Sequence, residues 1–198
     1  MYAKKCFSEC PFFPVRCFAD KDCGHAGICA RTALSVSVYP GGTMQLRMKE
    51  HPLTAEQIDS LLDAVHVGHL ATLGENGFPY VTPVHFVRMN GHIYFHGLAA
   101  GQKLKNLRTD SRVCFEVEGP HSFIQADVPC DTNTAYQSVI ITGNATVVED
   151  RAVKVAALDA VVAKHTPQHV GTAYPENMLK MTAVVEITIH EITGKYYA

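Results

Sequence analysis

The 198-residue chain has no run of basic residues, and its 17 lysines and arginines are outweighed by 19 aspartates and glutamates, giving a net charge near −2. A nucleic-acid partner held through phosphate neutralisation is therefore not expected. Nor does any apolar run approach the roughly 18 residues of a membrane span. The opening MYAKKCFSECPFFPV carries two lysines, but its apolar part is too short and proline-broken for a signal-peptide core. These absences predict a cytoplasmic protein without a membrane partner. A Ser-His-Asp sequence signature, a His-Glu-x-x-His helix and a dinucleotide fingerprint are also missing. Charged residues are scarce at 18 % and apolar ones make up 47 %; that balance allows a substantial core and argues against wholesale disorder.

Cysteine is unevenly distributed. Five of the seven residues fall at Cys6, Cys10, Cys17, Cys23 and Cys29, with Cys114 and Cys130 far downstream. Neither the spacing nor the odd count matches a paired C-x-x-C zinc framework, and disulfides conflict with a cytosolic setting. Two readings of residues 1–43 stay open. One is a Cys-rich N-terminal segment, for which a metal or iron–sulfur site is the minor alternative and no metal ligand is expected. The other concerns the gene: the codons of Gly41-Gly42-Thr43 can contain GGAGG, a bacterial ribosome-binding sequence, just ahead of Met44. On that reading Met44 or Met48 is the start and residues 1–43 are a translated leader. Residues 44–198 are expected to form the folded domain either way.

What is present reads mainly as β structure. LTAEQIDSLLDAV is a helix signalled by Thr54 and Gln57 as a capping box, with Ile58, Leu61, Leu62 and Val65 on one stripe. VGHLATLGENGFPYVTPVHFVRMNGHIYFHG then predicts three strands of an antiparallel meander, turned at Asn76-Gly77 and Asn90-Gly91. A helical turn around Leu104 and Leu107 follows, and RVCFEVEG alternates with Val113, Phe115 and Val117 on one face. HSFIQADVPCDTNTAYQ reads as a long irregular connection, SVIITGNATVVED as a long strand, and the stretch after Asp150 as a helix ended by Pro167. MTAVVEITIHEITGKYY is a final long strand. About six mostly antiparallel strands with few helices predict a small closed barrel.

Three places could carry chemistry. Pro79 and Pro83 fall inside the second strand, so it is expected to be an edge or bulged, with backbone groups left free for the rim of a flat heteroaromatic ring. In IYFHGLAAGQKLKNL, His96 shares a face with Tyr94, Gly97 allows close approach, and Gly101-Gln102-Lys103 opens a helix. A helix mouth offers unpaired N–H groups and a positive partial charge, and Lys103 adds a full one, so a phosphate is expected at Gln102 and Lys103 with His96 facing the attached ring. Tyr136, Gln137 and Ser138 begin a strand that then turns apolar; they are expected to face the site or a partner subunit.

Taken together, G-x-P-Y-x-x-P, Y-F-H-G followed by G-x-K-L, and Y-x-S-V resemble the pyridoxamine 5′-phosphate oxidase-like split barrels, over about residues 50–196. The chain is most similar to the branch containing the nitroimidazole-resistance proteins. The resemblance implies a six-stranded antiparallel FMN-binding split barrel, paired as a homodimer with FMN at the subunit interface. It also implies a flavoprotein oxidoreductase acting on a small aromatic or nitro-type substrate. Thr82, Pro83 and Val84 are then expected to contact the isoalloxazine and ribityl parts, Gln102 and Lys103 the phosphate, and Tyr136, Gln137 and Ser138 the site across the dimer. His96 is the expected catalytic residue, beside Gly97. The vitamin B6 oxidases proper have a richer set of basic phosphate ligands, and their substrate-binding Arg and His near the C-terminus are missing from HEITGKYYA, which argues against that substrate. A haem-handling protein and a non-catalytic flavin-binding redox module are the alternatives on the same barrel.

Overall fold

The fold is that of a computed structural model, which describes residues 50–198. The readings made on residues 1–43 and on Met44 and Met48 therefore lie outside the described residues.

Six strands close a ring. β1 (Val67–Leu73), β2 (Pro79–Met89), β3 (His92–Leu98), β4 (Arg112–Glu118), β6 (Asn133–Val147) and β7 (Thr182–Tyr197) pair around it. The order is β4-β1-β2-β3-β7-β6, and a β4–β6 pairing closes it, every contact antiparallel. Closure leaves the main sheet without a long open edge, which is what a chain of alternating strands gains from a barrel. Short β5 (Ser122–Ile124) pairs with the start of β6 outside the ring. It falls in the stretch read as irregular, because three exposed residues give too short an alternation to see. The meander follows the turn chemistry. Asn90 and Gly91 have φ of +53° and +79°, values that asparagine and glycine tolerate where other residues strain.

Phe86, Phe115, Leu70, Ile93, Ile141 and Ile187 are wholly buried inside the ring. Burying each such side chain contributes about 1.5–3 kcal/mol relative to leaving it in water. α1 (Ala55–Ala64) adds Ile58, Leu61 and Leu62 beside Gly119 and Gly194, and α2 (Gln102–Thr109) adds Leu104 and Leu107 from the opposite end. The capping box on α1 is formed: the Thr54 hydroxyl accepts from the Gln57 N–H at 3.3 Å, and the Gln57 side-chain oxygen accepts from the Thr54 N–H at 2.8 Å.

A second apolar layer lies outside the barrel. α3 (Arg151–His165) and α4 (Glu176–Met181) place Ala157, Leu158, Val161 and Leu179 over Val87, Tyr94 and Val184 on the outer face of β2, β3 and β7. Asp150 caps α3 by accepting from the Val153 N–H at 2.9 Å. α4 is absent from the sequence reading, which ran straight into the last strand; its one buried residue is Leu179, too few for a periodic signal.

Candidate functional site

β2 changes character halfway along. Residues 79 to 85 pair with β1 on one side, whereas pairing with β3 starts at Phe86↔Phe95. On the other strand, His96, Gly97 and Leu98 pair with Val184, Ala183 and Thr182 of β7 and no longer with β2. The two strands thus splay apart beyond Phe86 and Phe95, opening a wedge with one free backbone edge. Pro79 and Pro83 sit on that half-paired stretch, as a residue without an N–H must. The outward face of β2 here, with Val81 58 % exposed and Pro83 and His85 also exposed, lines its rim.

The side chains of the expected ring contacts divide. Val84 is buried in the barrel core, and Thr82, half-buried opposite Leu70, shares its inward face. Strand alternation turns these two side chains inward and leaves their backbone groups for the wedge. Pro83 points outward.

Across the wedge, the structure brings His96, Gly97 and Lys103 together. The Lys103 ammonium lies 3.3 Å from where a Cβ on Gly97 would sit, so any side chain at position 97 would press on it. Lys103 forms no ion pair with any described residue, whereas its neighbour Lys105 is held by Glu75 at 2.9 Å. Gly101 begins the helix with φ +128° and no side-chain cap, a conformation that favours glycine. The first N–H groups of α2 are consequently free to meet an anion.

The Gln102 side-chain nitrogen donates to Asn106 Oδ1 at 2.6 Å, which leaves its second amide hydrogen and the backbone N–H for a ligand. Asn106, fully buried, donates to Thr72 Oγ1 at 2.9 Å, and the Thr72 hydroxyl donates to the Tyr80 carbonyl at 3.3 Å. This chain ties the mouth of α2 to β1 and β2 and so fixes where Lys103 stands. Asn106 and Thr72 were not picked out from the sequence; an asparagine on the apolar stripe of a short helix, between Leu104 and Leu107, is the signal that was available.

His96 is exposed on one side and crowded on the other. Crowding by surrounding atoms is the largest cause pushing its pKa below the usual value, and the neighbouring His85 and Lys103 push the same way. His96 is thus neutral at neutral pH, with one ring N–H to donate and one nitrogen to accept. His85 is a residue that sequence reading left aside; it alternates with Val81 and Pro83 on the outward face, and that period was legible.

Tyr136, Gln137 and Ser138 are not brought to this wedge. They pair with Tyr197, Tyr196 and Lys195 of β7, and line a separate shallow cleft with Glu116 and His121. β6 lies diametrically across the six-strand ring from β2, so within one chain no ligand outside the barrel can touch both. Among the described residues, no group of three or more His, Cys, Asp or Glu is arranged to hold a metal, and no helix is long and apolar enough to cross a membrane.

A family model described as pyridoxamine 5′-phosphate oxidase matches residues 54–196. Among solved structures, the chain is similar to the flavocytochrome Anf3 from Azotobacter vinelandii, with 28 % identity over 73 % of this chain and 68 % of that one, at a TM-score of 0.66. It is similar in fold to a candidate 5-nitroimidazole antibiotic resistance protein from Bacteroides thetaiotaomicron VPI-5482, with 22 % identity, coverage of 73 % and 86 %, and a TM-score of 0.65. The FAD and haem binding protein from Mycobacterium smegmatis matches in fold at 22 % identity, coverage of 72 % and 71 %, and a TM-score of 0.66. No curated protein matches the chain.

Proposed function

The chain belongs to the pyridoxamine 5′-phosphate oxidase family, and from that premise we propose that it is an FMN-dependent oxidoreductase acting on a small aromatic or nitro-type substrate. The observation that carries this reading is the wedge between β2 and β3, where a free backbone edge faces a lysine, without an ion pair among the described residues, over a glycine. A flavin asks for those elements: amide and carbonyl groups along the rim of a flat ring, and a cationic cradle for its phosphate. Relatives in fold whose names include a flavocytochrome, an FAD and haem binding protein and a nitroimidazole resistance protein support the cofactor and substrate class.

In this reading Lys103 and the first N–H groups of α2 bind the phosphate, and Gly97 leaves the room for it. The backbone of Thr82, Pro83 and Val84 orients the ring edge. FMN, when bound, supplies the electron chemistry. His96, neutral and beside Lys103, offers a hydrogen bond or a proton to a substrate lying on the ring. Because Tyr136, Gln137 and Ser138 lie across the barrel from the wedge, the reading includes a homodimer in which a second copy supplies them. The lone cation at Lys103 suits a phosphate better than the carboxylates of haem.

The test is the absorbance spectrum of the purified protein, followed by that of the supernatant after denaturation. A two-banded flavin spectrum released as FMN is expected. A single intense Soret band would replace this reading with haem handling, and a colourless protein that takes up no added FMN would end it.

A further inference from the structure

A cleft distinct from the wedge has a volume of about 560 Å³ and lies where α2, α3 and α4 meet β6 and β7. His96, Gly97 and Lys103 do not line it. Its volume is within the range of about 300–1,000 Å³ usual for small-molecule sites.

Its chemistry has two parts. The floor is apolar, made by Leu104 and Leu107 of α2 with Ala145, Val147 and Ala183 of the barrel. The rim carries Arg108, Lys154 and Lys180, one from each of three helices, against a single carboxylate, Glu149. None of the three cations makes an ion pair or side-chain hydrogen bond with any described residue. Four other surface cations are matched: Arg112 with Asp110, Arg151 with Glu176, Arg88 with Asp59, Lys105 with Glu75. Three like charges converging from separate elements repel one another, and nothing in the barrel requires them there. The hydroxyls of Ser111 and Thr146 also line the cleft with no hydrogen-bond partner among the described residues.

We propose that this cleft is a second ligand site, for a phosphate-bearing small molecule with a flat apolar body, of the nucleoside monophosphate class. Three cations opposed by one carboxylate leave an excess of two positive charges, which matches a phosphate monoester dianion. The planar fork of Arg108 can take two phosphate oxygens at once, with the lysines as point charges beside it. The floor takes the ring. The site stands on residues that the flavin reading does not use, so either can fail alone.

The experiment is calorimetric titration of the full chain with adenosine 5′-monophosphate, adenosine and inorganic phosphate. Saturable binding of the monophosphate is expected, weaker at higher salt, and weaker again for adenosine and for inorganic phosphate, which each lack one half of the match. Arg108→Glu and Lys180→Glu should each lower the affinity by about tenfold or more, the size expected for losing a charge-assisted contact and placing a like charge there. Arg108→Lys should lower it less, and Lys103→Ala or saturating FMN should leave it unchanged. Should Arg108→Glu not fold, Lys180→Ala on exposed α4 carries the same comparison. No binding of the monophosphate, equal affinity for adenosine or inorganic phosphate, or loss through Lys103→Ala rather than Arg108→Glu would each overturn the proposal.

Discussion

Phe86 and Val87 lie only a few residues along β2 from Val81 and Pro83, yet the two halves of the strand serve different ends. The second half pairs with β3, sends Phe86 into the barrel core and sends Val87 under α3. The first half pairs only with β1, carries two prolines, and leaves Val81, Pro83 and His85 exposed. The same backbone thus supplies stability in one half and an open hydrogen-bonding edge in the other. Proline marks the change, because it forbids a second ladder partner where its N–H would be needed.

Substitutions should divide along that line. Phe86→Ala leaves a cavity where no solvent reaches and should cost about 3–5 kcal/mol of unfolding free energy. Val81→Ala, on the exposed half, should stay within about 0.5 kcal/mol. Urea denaturation of both variants measures the contrast, and similar losses would erase it. Asn106→Ala joins the two regions: it removes the donor to the hydroxyl oxygen of buried Thr72 and unties α2 from β1, at about 1–3 kcal/mol. It should also weaken FMN, which Phe86→Leu at matched stability should not.

His96→Ala should keep FMN and lose turnover of a nitroaromatic substrate; retained turnover would remove His96 from the chemistry. The smallest effect is on pH. The pKa of His96 is depressed in the folded chain, so the unfolded state binds more protons as pH falls below the ordinary value of 6.5. Stability from the neutral ring is therefore complete above that value and is lost as pH falls from it toward the folded pKa. Thermal melts from about pH 7 to about pH 5 should show the wild type losing stability relative to His96→Gln. His165, depressed by burial as well, titrates in both proteins and cancels in the comparison.

Much of the barrel was legible because its strands alternate. Val113, Phe115 and Val117 read as one buried face and form one, and the Asn90-Gly91 turn sits where its φ angles demand. β5 and α4 were not legible, since each buries one residue at most. At the site, the glycine at 97 and the lysine at 103 could be paired from sequence, because one helix mouth follows directly on the strand. The orientation of Val84 and the engagement of Gln102 by Asn106 could not: both depend on which face of an element meets the core. Nor could the distance of Tyr136 to Ser138 from the wedge, which follows from the closing β4–β6 pairing at the far side of the ring.

The account turns on whether the open half of β2 and the mouth of α2 hold one phosphate-bearing ring between them. Titrating FMN into the apo wild type and apo Lys103→Ala, followed by quenching of flavin fluorescence, asks this directly. One FMN per chain is expected for the wild type, with affinity at least about tenfold lower for Lys103→Ala, as for the loss of a charge-assisted hydrogen bond, and with both apo proteins melting at the same temperature. Equal affinity in the two proteins, or no uptake by the wild type, would contradict it.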